Sequence, residues 1–591
     1  MPRPLSDQVI EEILDADSEC ESVLSGYPEE DISDTDGIND IEQSPTHDSD
    51  GSEDINPEIE ACSSESEGEP VAGPSQRSYY GKNKYKWSKK PPAPSRTREH
   101  NIIRQRPGLI GPAASKNKMT TKESFELLID DNIIQMITNY TNEKITESTE
   151  KDSMVAFWTN HVSETEIKAF IGLLLLAGVF KSGHEDVESL WATNGTGREI
   201  FRTTMALKRF LFILANLRFD DIASRDQRKT VDRAALISEV FKKFIENCQK
   251  NYSCSEYVTI DEILCPFRGR CLFRVCMKSK PAKYGIKIFC LCDAKTHYLY
   301  NAFIYTGKQH DRTSRQQSIP TQSVLQLASP IFGSNRNITA DNWFSSVELV
   351  DILLEKNLTY VGPLRKNKRE IPPEFQPRKQ RQPETSVFGF TGNTTLASFV
   401  PKKNQSVIMI STMHHDQTIN ETSGKPQIID FYNSTKGGVD SLDQKCANYS
   451  VARRTLRWPS AVFAGILNIA CVNCYVLWKG SNAGTKMKRN TYIKSIGMEL
   501  IKDHIINRKA EYTKFPRELR EKIDRFVASI TVSATNSTSE DAGSSRQNVL
   551  KRGRCHLCDR KKDGKFATKC YNCRHFICKL HSRYVNQLPK H

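Results

Sequence analysis

The chain has 591 residues, room for several domains of roughly 100–200 residues each, and an ordinary hydrophobic content of 38%, enough to build one or more cores. Its net charge of +13 hides a split: residues 1–70 hold 23 Asp plus Glu and one basic residue, Arg3, which leaves +35 on the remainder. A basic body behind an acidic head selects a polyanion partner, usually nucleic acid, while the acidic N-terminus and a longest apolar run of only Ala169–Phe180 argue against a secreted or membrane-spanning protein.

Residues 1–76 are rich in Ser, Asp, Glu, Gly and Pro and read as a disordered acidic tail. Residues 77–118 carry twelve basic residues against one acid, Glu99. Tyr79, Tyr80, Tyr85 and Trp87 are interleaved with them, and Pro91, Pro92 and Pro94 favour an extended path. Such a segment can neutralise phosphates and stack on bases. Helical spacing then begins, with Phe125, Leu128, Ile129 and Ile133 on one stripe, an apolar helix over 166–180, and Leu207, Phe210, Leu211, Leu214 and Leu217 on another. Residues 119–254 are expected to form a helical domain.

The pattern changes at Tyr257, where a strand ends in Asp261-Glu262. Further strands are predicted over 284–292, 298–305, 337–340 and 359–364, with a helix over 345–355. Strands followed by a strand–helix alternation predict an α/β domain, its first part spanning 255–365 and its last part 428–455. Between them, residues 366–427 read as a β-rich insertion with strands near 386–390 and 406–411. A Gly437-Gly438 turn opens a helix with Asp440 and Asp443 on one face. Residues 456–532 read as more helices, 533–550 as a Ser/Thr-rich linker and 551–591 as a compact Cys/His module.

Three aspartates fit one chemistry. A phosphodiester is shielded by its own charge, and two divalent cations about 4 Å apart overcome this by binding the attacking and leaving oxygens. Magnesium takes hard oxygen ligands, and a few carboxylates hold it beside a phosphate. Integrase-like folds present such carboxylates from strand ends and a nearby helix. Asp261 and Asp341 stand at predicted strand ends, and Asp440 opens a helix.

The sequence around these residues resembles the piggyBac transposase family. The matching stretches are Thr259-Ile-Asp-Glu, Phe267-Arg-Gly-Arg-Cys, Lys283-Tyr-Gly-Ile-Lys, Asn337-Ile-Thr-Ala-Asp-Asn-Trp-Phe, Val361-Gly with Asn367-Lys-Arg-Glu-Ile-Pro, Thr435-Lys-Gly-Gly-Val-Asp-Ser-Leu-Asp-Gln, and Arg457-Trp-Pro. They occur in family order over roughly residues 80–591. The resemblance implies an α/β RNase H-like (retroviral-integrase-like) catalytic core with the insertion inside it. Flanking it would be an all-α dimerisation and DNA-binding domain split around the core. It implies Mg2+ (or Mn2+), two ions, at Asp261, Asp341 and Asp440, with Asp443 as an auxiliary acid. The family nicks an element's ends, forms hairpins through the freed 3′-hydroxyl, and joins the element to TTAA targets. The partners implied are double-stranded DNA, as terminal inverted repeats and target, and a second copy of the chain. Arg268, Arg270, Lys280, Lys283, Arg365 and Lys368 lie close in sequence to the acids and can hold phosphates. Trp343 and Phe344 either support an unstacked base beside the cut or pack in the core. A domesticated DNA-binding or chromatin protein on the same scaffold is the alternative, and a general metal-dependent nuclease would need no zinc module.

The C-terminal pattern is Cys555-x2-Cys558-x11-Cys570-x2-Cys573-x4-Cys578-x2-His581. Thiolate pairs two residues apart suit tetrahedral zinc, and interleaved pairs join the first with the third. Cys555, Cys558, Cys578 and His581 are therefore assigned to one Zn2+. Cys570 and Cys573 need two more ligands for a second. The family has a further cysteine pair beyond the histidine, but here residues 582–591 hold none, which leaves His591, or else His556 or His575. From Lys551 onward there are twelve basic residues and two acids, Asp559 and Asp563. That charge suits DNA, and in the family this module recognises the element's ends. Lys551-Arg-Gly-Arg and Arg560-Lys-Lys fit import signals and a nuclear location.

Overall fold

Runs rich in β-branched and aromatic residues with no turn signal inside them form the longest strands of this computed structural model. The structure describes residues 77–93, 101–150, 157–278, 280–307, 317–537, 553–559, 564–566 and 575–580. They fall into two units divided between Arg520 and Glu521.

In the first unit the strands are β1 (Ser78–Tyr80), β2 (Lys86–Ser88), β3 (Gly108–Leu109), β4 (Tyr252–Ser253), β5 (Tyr257–Pro266), β6 (Arg274–Cys276), β7 (Tyr284–Asp293), β8 (Leu299–Ile304), β9 (Asn337–Ala340), β10 (Thr359–Pro363), β11 (Ser386–Thr391), β12 (Thr394–Phe399) and β13 (Val407–Ser411). β3 and β4 pair with each other. The other eleven form one mixed sheet in the order β1-β2-β11-β12-β13-β10-β9-β5-β7-β6, with β8 also on β7. β5 runs parallel to β9, and β9 parallel to β10. β7 is antiparallel to β5 from Gly285 to Asp293.

Two sequence expectations gain detail here. The segment after Arg77 is not simply extended, because β1 and β2 form a hairpin joined to β11 at Ser88↔Phe390. Trp87 is fully buried and its indole N–H donates to the Glu370 carbonyl at 2.9 Å, while Tyr79 packs edge-on against Phe375. Trp87 is thus core of the sheet's extension, while Tyr79 is half-buried beside Phe375. The residues 366–427, read as an inserted module, are continuous with the central sheet through the β10–β13 ladder. They include β12, which periodicity did not reveal because it is buried at all six positions and does not alternate.

Helices pack around this sheet. The stripe Phe125–Ile133 is buried as expected, but it spans two helices, Thr121–Glu126 and Asp131–Thr149. Asp130 breaks it, its carboxylate accepting from the Ile133 N–H at 3.0 Å as the second helix's cap. Helix Glu164–Val179 crosses helix Arg489–Ala510 where Gly172 meets Gly497. A Cβ on Gly172 would lie 2.9 Å from the Gly497 carbonyl oxygen, so two small residues permit the approach. Helix Trp458–Ser481, with a mean hydropathy of 1.8, is long and apolar enough to cross a membrane, unlike the shorter run 169–180, but 83% of that window is buried inside the protein. Its polar residues serve as clamps. The Asn473 amide donates to the Leu299 carbonyl and accepts from the Leu299 N–H, both at 2.8 Å, and Asn468 accepts from the Val451 N–H at 2.9 Å. This is the core helix that supports β8.

In the second unit β14 (Gly553–Arg554) pairs with β15 (Lys565–Phe566). His556 donates its backbone N–H to the Phe576 carbonyl at 2.8 Å. Cys555, Ile577 and Cys578 form a small buried cluster, flanked by Cys558 and Phe566. His581, Cys570, Cys573 and His591 lie outside the described residues, as do residues 1–76 with the expected acidic tail and 538–550 of the linker.

Candidate active site and zinc module

The parallel β5–β9 register pairs Ile260 with Ala340, so the next residues stand level on neighbouring strands: Asp341 just past the end of β9, and Asp261 within β5 rather than at the strand end its sequence suggests. The helix Gly438–Asn448 supplies the third acid. Its approach is set by hydroxyls and a glycine. Thr259, two residues before Asp261 on the same face, donates to the Thr435 carbonyl at 2.6 Å, and Thr435 and Thr339 share a hydroxyl hydrogen bond of 2.8 Å. Gly438 then passes so close that a Cβ would sit 2.5 Å from Thr259 Oγ1. The helix start is thus pinned to both acid-bearing strands.

The electrostatics reflect this crowding. Burial, then the negative charges of Glu262 and Asp341, push the Asp261 carboxyl up to about 8, against a stabilising bond from the Glu262 N–H. Asp341 is also raised, by burial first and Glu262 next, although the Trp343 N–H donates to it at 2.9 Å. Asp443 is raised by burial and by Asp440, with Lys280 acting in the opposite sense. The Lys280 ammonium lies 3.3 Å from Asp440, whose side chain is 66% exposed. Burial works against the charge on Lys280, but Asp440, Asp261 and Asp443 together raise its pKa. The four acids are thus gathered around Lys280 and Tyr432. Carboxylates gathered in this way offer hard-oxygen donors of the kind that suits a divalent cation.

Sequence reasoning gave no role to several neighbours. Tyr432 faces Asp341, Asp261 and Asp440, and burial followed by those charges pushes its hydroxyl up to about 12. Glu262 pairs with Lys287 at 3.8 Å. Both stood inside family-like stretches, but only their contacts distinguish them. Of the basic residues read as phosphate holders, Lys280 is brought into contact with Asp440. Arg268 and Arg270 are exposed in the turn after β5, Lys283 is exposed before β7, and Arg365 and Lys368 follow β10. Phe344 is core, while Trp343 is half-buried and stacks on Phe289 at 5.4 Å.

In the second unit Cys555, Cys558 and Cys578 bring their sulfurs within 4.8 Å of one another, and Cys558 and Cys578 are 3.7 Å apart. None of the three is in a disulfide, and three convergent thiols fit a tetrahedral zinc that takes one further ligand. The His556 and His575 rings stack on each other at 4.3 Å.

A family profile described as "Transposase IS4" matches residues 120–475. The chain is 33% identical to the protein in a solved cryo-EM structure of a piggyBac transposase synaptic complex with hairpin DNA. That match covers 81% of this chain and 98% of the other, with a TM-score of 0.68, and extends to the RNase H-like mixed-sheet core. It is 22% identical over 384 residues to human PiggyBac transposable element-derived protein 3, covering 61% of each, and 22% identical over 371 residues to human PiggyBac transposable element-derived protein 2, covering 60% of each. The chain thus spans about three fifths of the length of these human relatives. With a profile match over more than half its length and that structural likeness, the chain belongs to the piggyBac-type transposase family.

Proposed function

We propose that the chain is a metal-dependent DNA transposase that excises an element at its terminal inverted repeats through hairpin ends and integrates it at TTAA sites, acting as a homodimer in the nucleus. The observation that carries this reading is the level placement of Asp261 and Asp341 on parallel neighbours, with the Asp440 helix tied to both through Thr259, Thr339 and Thr435. Asp261, Asp341 and Asp440 would hold two Mg2+ or Mn2+ ions, and Asp443 is the auxiliary acid. When bound, these ions supply activation of the attacking water or hydroxyl and stabilisation of the leaving oxygen.

The chain's own residues prepare that chemistry. The β5–β9 ladder fixes the spacing of two carboxylates, and the Trp343 N–H orients one of them. Lys280 balances the acid cluster and is placed to reach a scissile phosphate. Arg268, Arg270, Lys283, Arg365 and Lys368 grip flanking phosphates, and the edge of Trp343 left exposed meets the strand beside the cut. Cys555, Cys558, Cys578 and His581 bind one structural Zn2+, and Cys570 and Cys573 with His591 form the candidate second site. The human relatives are transposable element-derived by name, which keeps a domesticated DNA-binding protein as the second reading. The four acids favour activity over it.

The test is excision from a plasmid carrying the cognate terminal repeats. Asp261→Asn, Asp341→Asn and Asp440→Asn should each abolish Mg2+-dependent cleavage while leaving end binding intact, because Asn keeps the shape and loses the charge. Asp443→Asn should be damaging but less complete. Near-normal cleavage by any of the first three removes that residue from the site, and end binding without cleavage by the unmodified chain supports the domesticated reading.

A further inference from the structure

Side chains alternate along β5, and the β5–β7 register sets Asp261 opposite Cys290 but Glu262 opposite Phe289. Alternation therefore sets Glu262 on the other face of β5 from Asp261, though its carboxyl still reaches the Asp261 side chain, and there it meets Lys287, two residues before Phe289 on β7. The Lys287 ammonium lies 3.8 Å from Glu262, and both side chains are only 17% exposed. The same ammonium sits 4.8 Å from the Phe289 ring centroid and 5.2 Å from that of Trp343. Trp343 and Phe289 are stacked at 5.4 Å with planes 20° apart. The Trp343 backbone N–H is the donor that orients the Asp341 carboxylate. A continuous path thus runs from Glu262 through Lys287 and the Trp343 indole to Asp341.

We infer that Lys287, anchored by Glu262, is a positioning residue for Asp341: its ammonium holds the Trp343 indole on Phe289 and so fixes the turn whose amide aims the Asp341 carboxylate. This rests on the reading of Asp341 as a metal ligand. A half-buried cation between an acid and two π faces is held from three sides, which a neutral side chain of the same length cannot reproduce. It also offsets Glu262, whose negative charge acts on Asp341. Lys287 has two separable effects. Its charge opposes a dication nearby, and its contacts give the ligand its aim.

The test uses the full chain, Mn2+ alone as the probe, and the variants Lys287→Met, Lys287→Arg and Glu262→Gln. Free Mn2+ is followed by electron paramagnetic resonance. Trp343 is followed by fluorescence quenching against a Trp343→Phe reference. Lys287→Met should tighten Mn2+ binding roughly three- to tenfold by removing a like charge. It should also expose Trp343 to quencher and lower the cleavage kcat by about tenfold to a hundredfold through misplacement of Asp341. Lys287→Arg should restore the quenching and most of the rate. Glu262→Gln, which keeps shape if Lys287→Met proves unstable, should weaken Mn2+ binding several-fold and also loosen Trp343. Unchanged Trp343 quenching in both Lys287→Met and Glu262→Gln overturns the inference, as does Mn2+ binding that weakens in Lys287→Met. If the unmodified chain binds no Mn2+ that Asp341→Asn abolishes, the metal reading itself fails. If it does, and Lys287→Met matches it in every readout, only the positioning role falls.

Discussion

Gly438→Ala tests how the third acid is placed. A Cβ at this position would lie 2.5 Å from Thr259 Oγ1 and 3.0 Å from Thr259 Cβ. That is about 1 Å inside ordinary van der Waals contact, so either the helix lifts from β5 or the threonine rotates away. Rotation breaks the 2.6 Å bond from Thr259 to the Thr435 carbonyl, which ties the preceding helix to the sheet. Overpacking costs about 1–3 kcal/mol and the buried hydrogen bond about 1 kcal/mol more, so a loss of about 2–4 kcal/mol is expected. A displacement of about 1 Å at Asp440 should lower cleavage roughly a hundredfold. Urea unfolding reads the first quantity and nicking of an end-bearing duplex reads the second. Thr259→Ala removes the 2.5 Å contact and leaves the Cβ contact, so it relieves the clash in part. The double variant should therefore fall short of the sum of the singles by at least about 1 kcal/mol. Additive losses, or a Gly438→Ala variant with an unchanged midpoint and rate, would refute the argument that this glycine sets the helix position.

Cys555→Ser should lower bound zinc by one per chain in elemental analysis and unfold the terminal module, since the metal supplies much of the folding free energy of so small a unit. Cleavage competence of the first unit on pre-nicked DNA should survive, and retention of all zinc would remove Cys555 from the ligand set. If Cys570 and Cys573 complete a second site with His591, Cys570→Ser should take the stoichiometry from two to one, whereas a wild-type value of one excludes that site. Acid stability should carry the signature of His414, whose imidazole is pushed down to about 4 by burial, with Asp416 opposing, and which shares a 2.9 Å hydrogen bond with Ser411. Its folded pKa lies below the free value of about 6.5, so the stability it lends is complete above that pH and is lost as the pH falls from there toward about 4, on the order of 3 kcal/mol in all. His414→Gln should flatten the unfolding free energy across that window, and an unchanged slope would show that the imidazole is not the titrating group.

Much of this was readable from residues. Asn337–Ala340 is a strand with the bounds that its composition predicts, and Asp341 ends it. The strand begun at Tyr257 is longer than its alternation suggests, running to Pro266 because Ile263-Leu-Cys is buried in the sheet centre. Glu262 escaped notice because adjacent acids at a strand end look alike in sequence, while their opposite faces depend on the register with β7. Lys287 and Thr435 escaped for a related reason: each acts through a contact more than twenty residues away in the chain, at 3.8 Å to Glu262 and 2.6 Å from Thr259. The aromatic residues after Arg77 misled because interleaved lysines and tyrosines describe an exposed edge hairpin as well as a phosphate-binding arm. Only the burial of Trp87 against Glu370 decides between them for that residue.

The strand order also bears on how the insertion couples to catalysis. β9, which ends at Asp341, lies between β5, which carries Asp261, and β10. β10 pairs in turn with β13, and β13 with β12, so the strands of 386–411 belong to the same ladder as the acids. An insertion hung on two flexible linkers could turn without disturbing the carboxylates. Here a displacement of β13 along its axis would have to break the Val361↔Ser411 to Pro363↔Met409 pairing or carry β10 with it. β10 is bonded in parallel to β9 over Thr359–Val361, and Tyr360 and Ser345 share a 2.7 Å hydroxyl bond just beyond the Asp341 turn. Ser345 in turn donates to the Asp341 carbonyl at 2.9 Å. Force applied to the insertion therefore reaches the Asp341 backbone through two hydrogen bonds and one strand pair. That makes Ser345→Ala a sharper probe of this coupling than any change at the DNA surface. It should leave DNA affinity unchanged and reduce the cleavage rate, and equal losses in both would mean that the serine serves only to hold the fold.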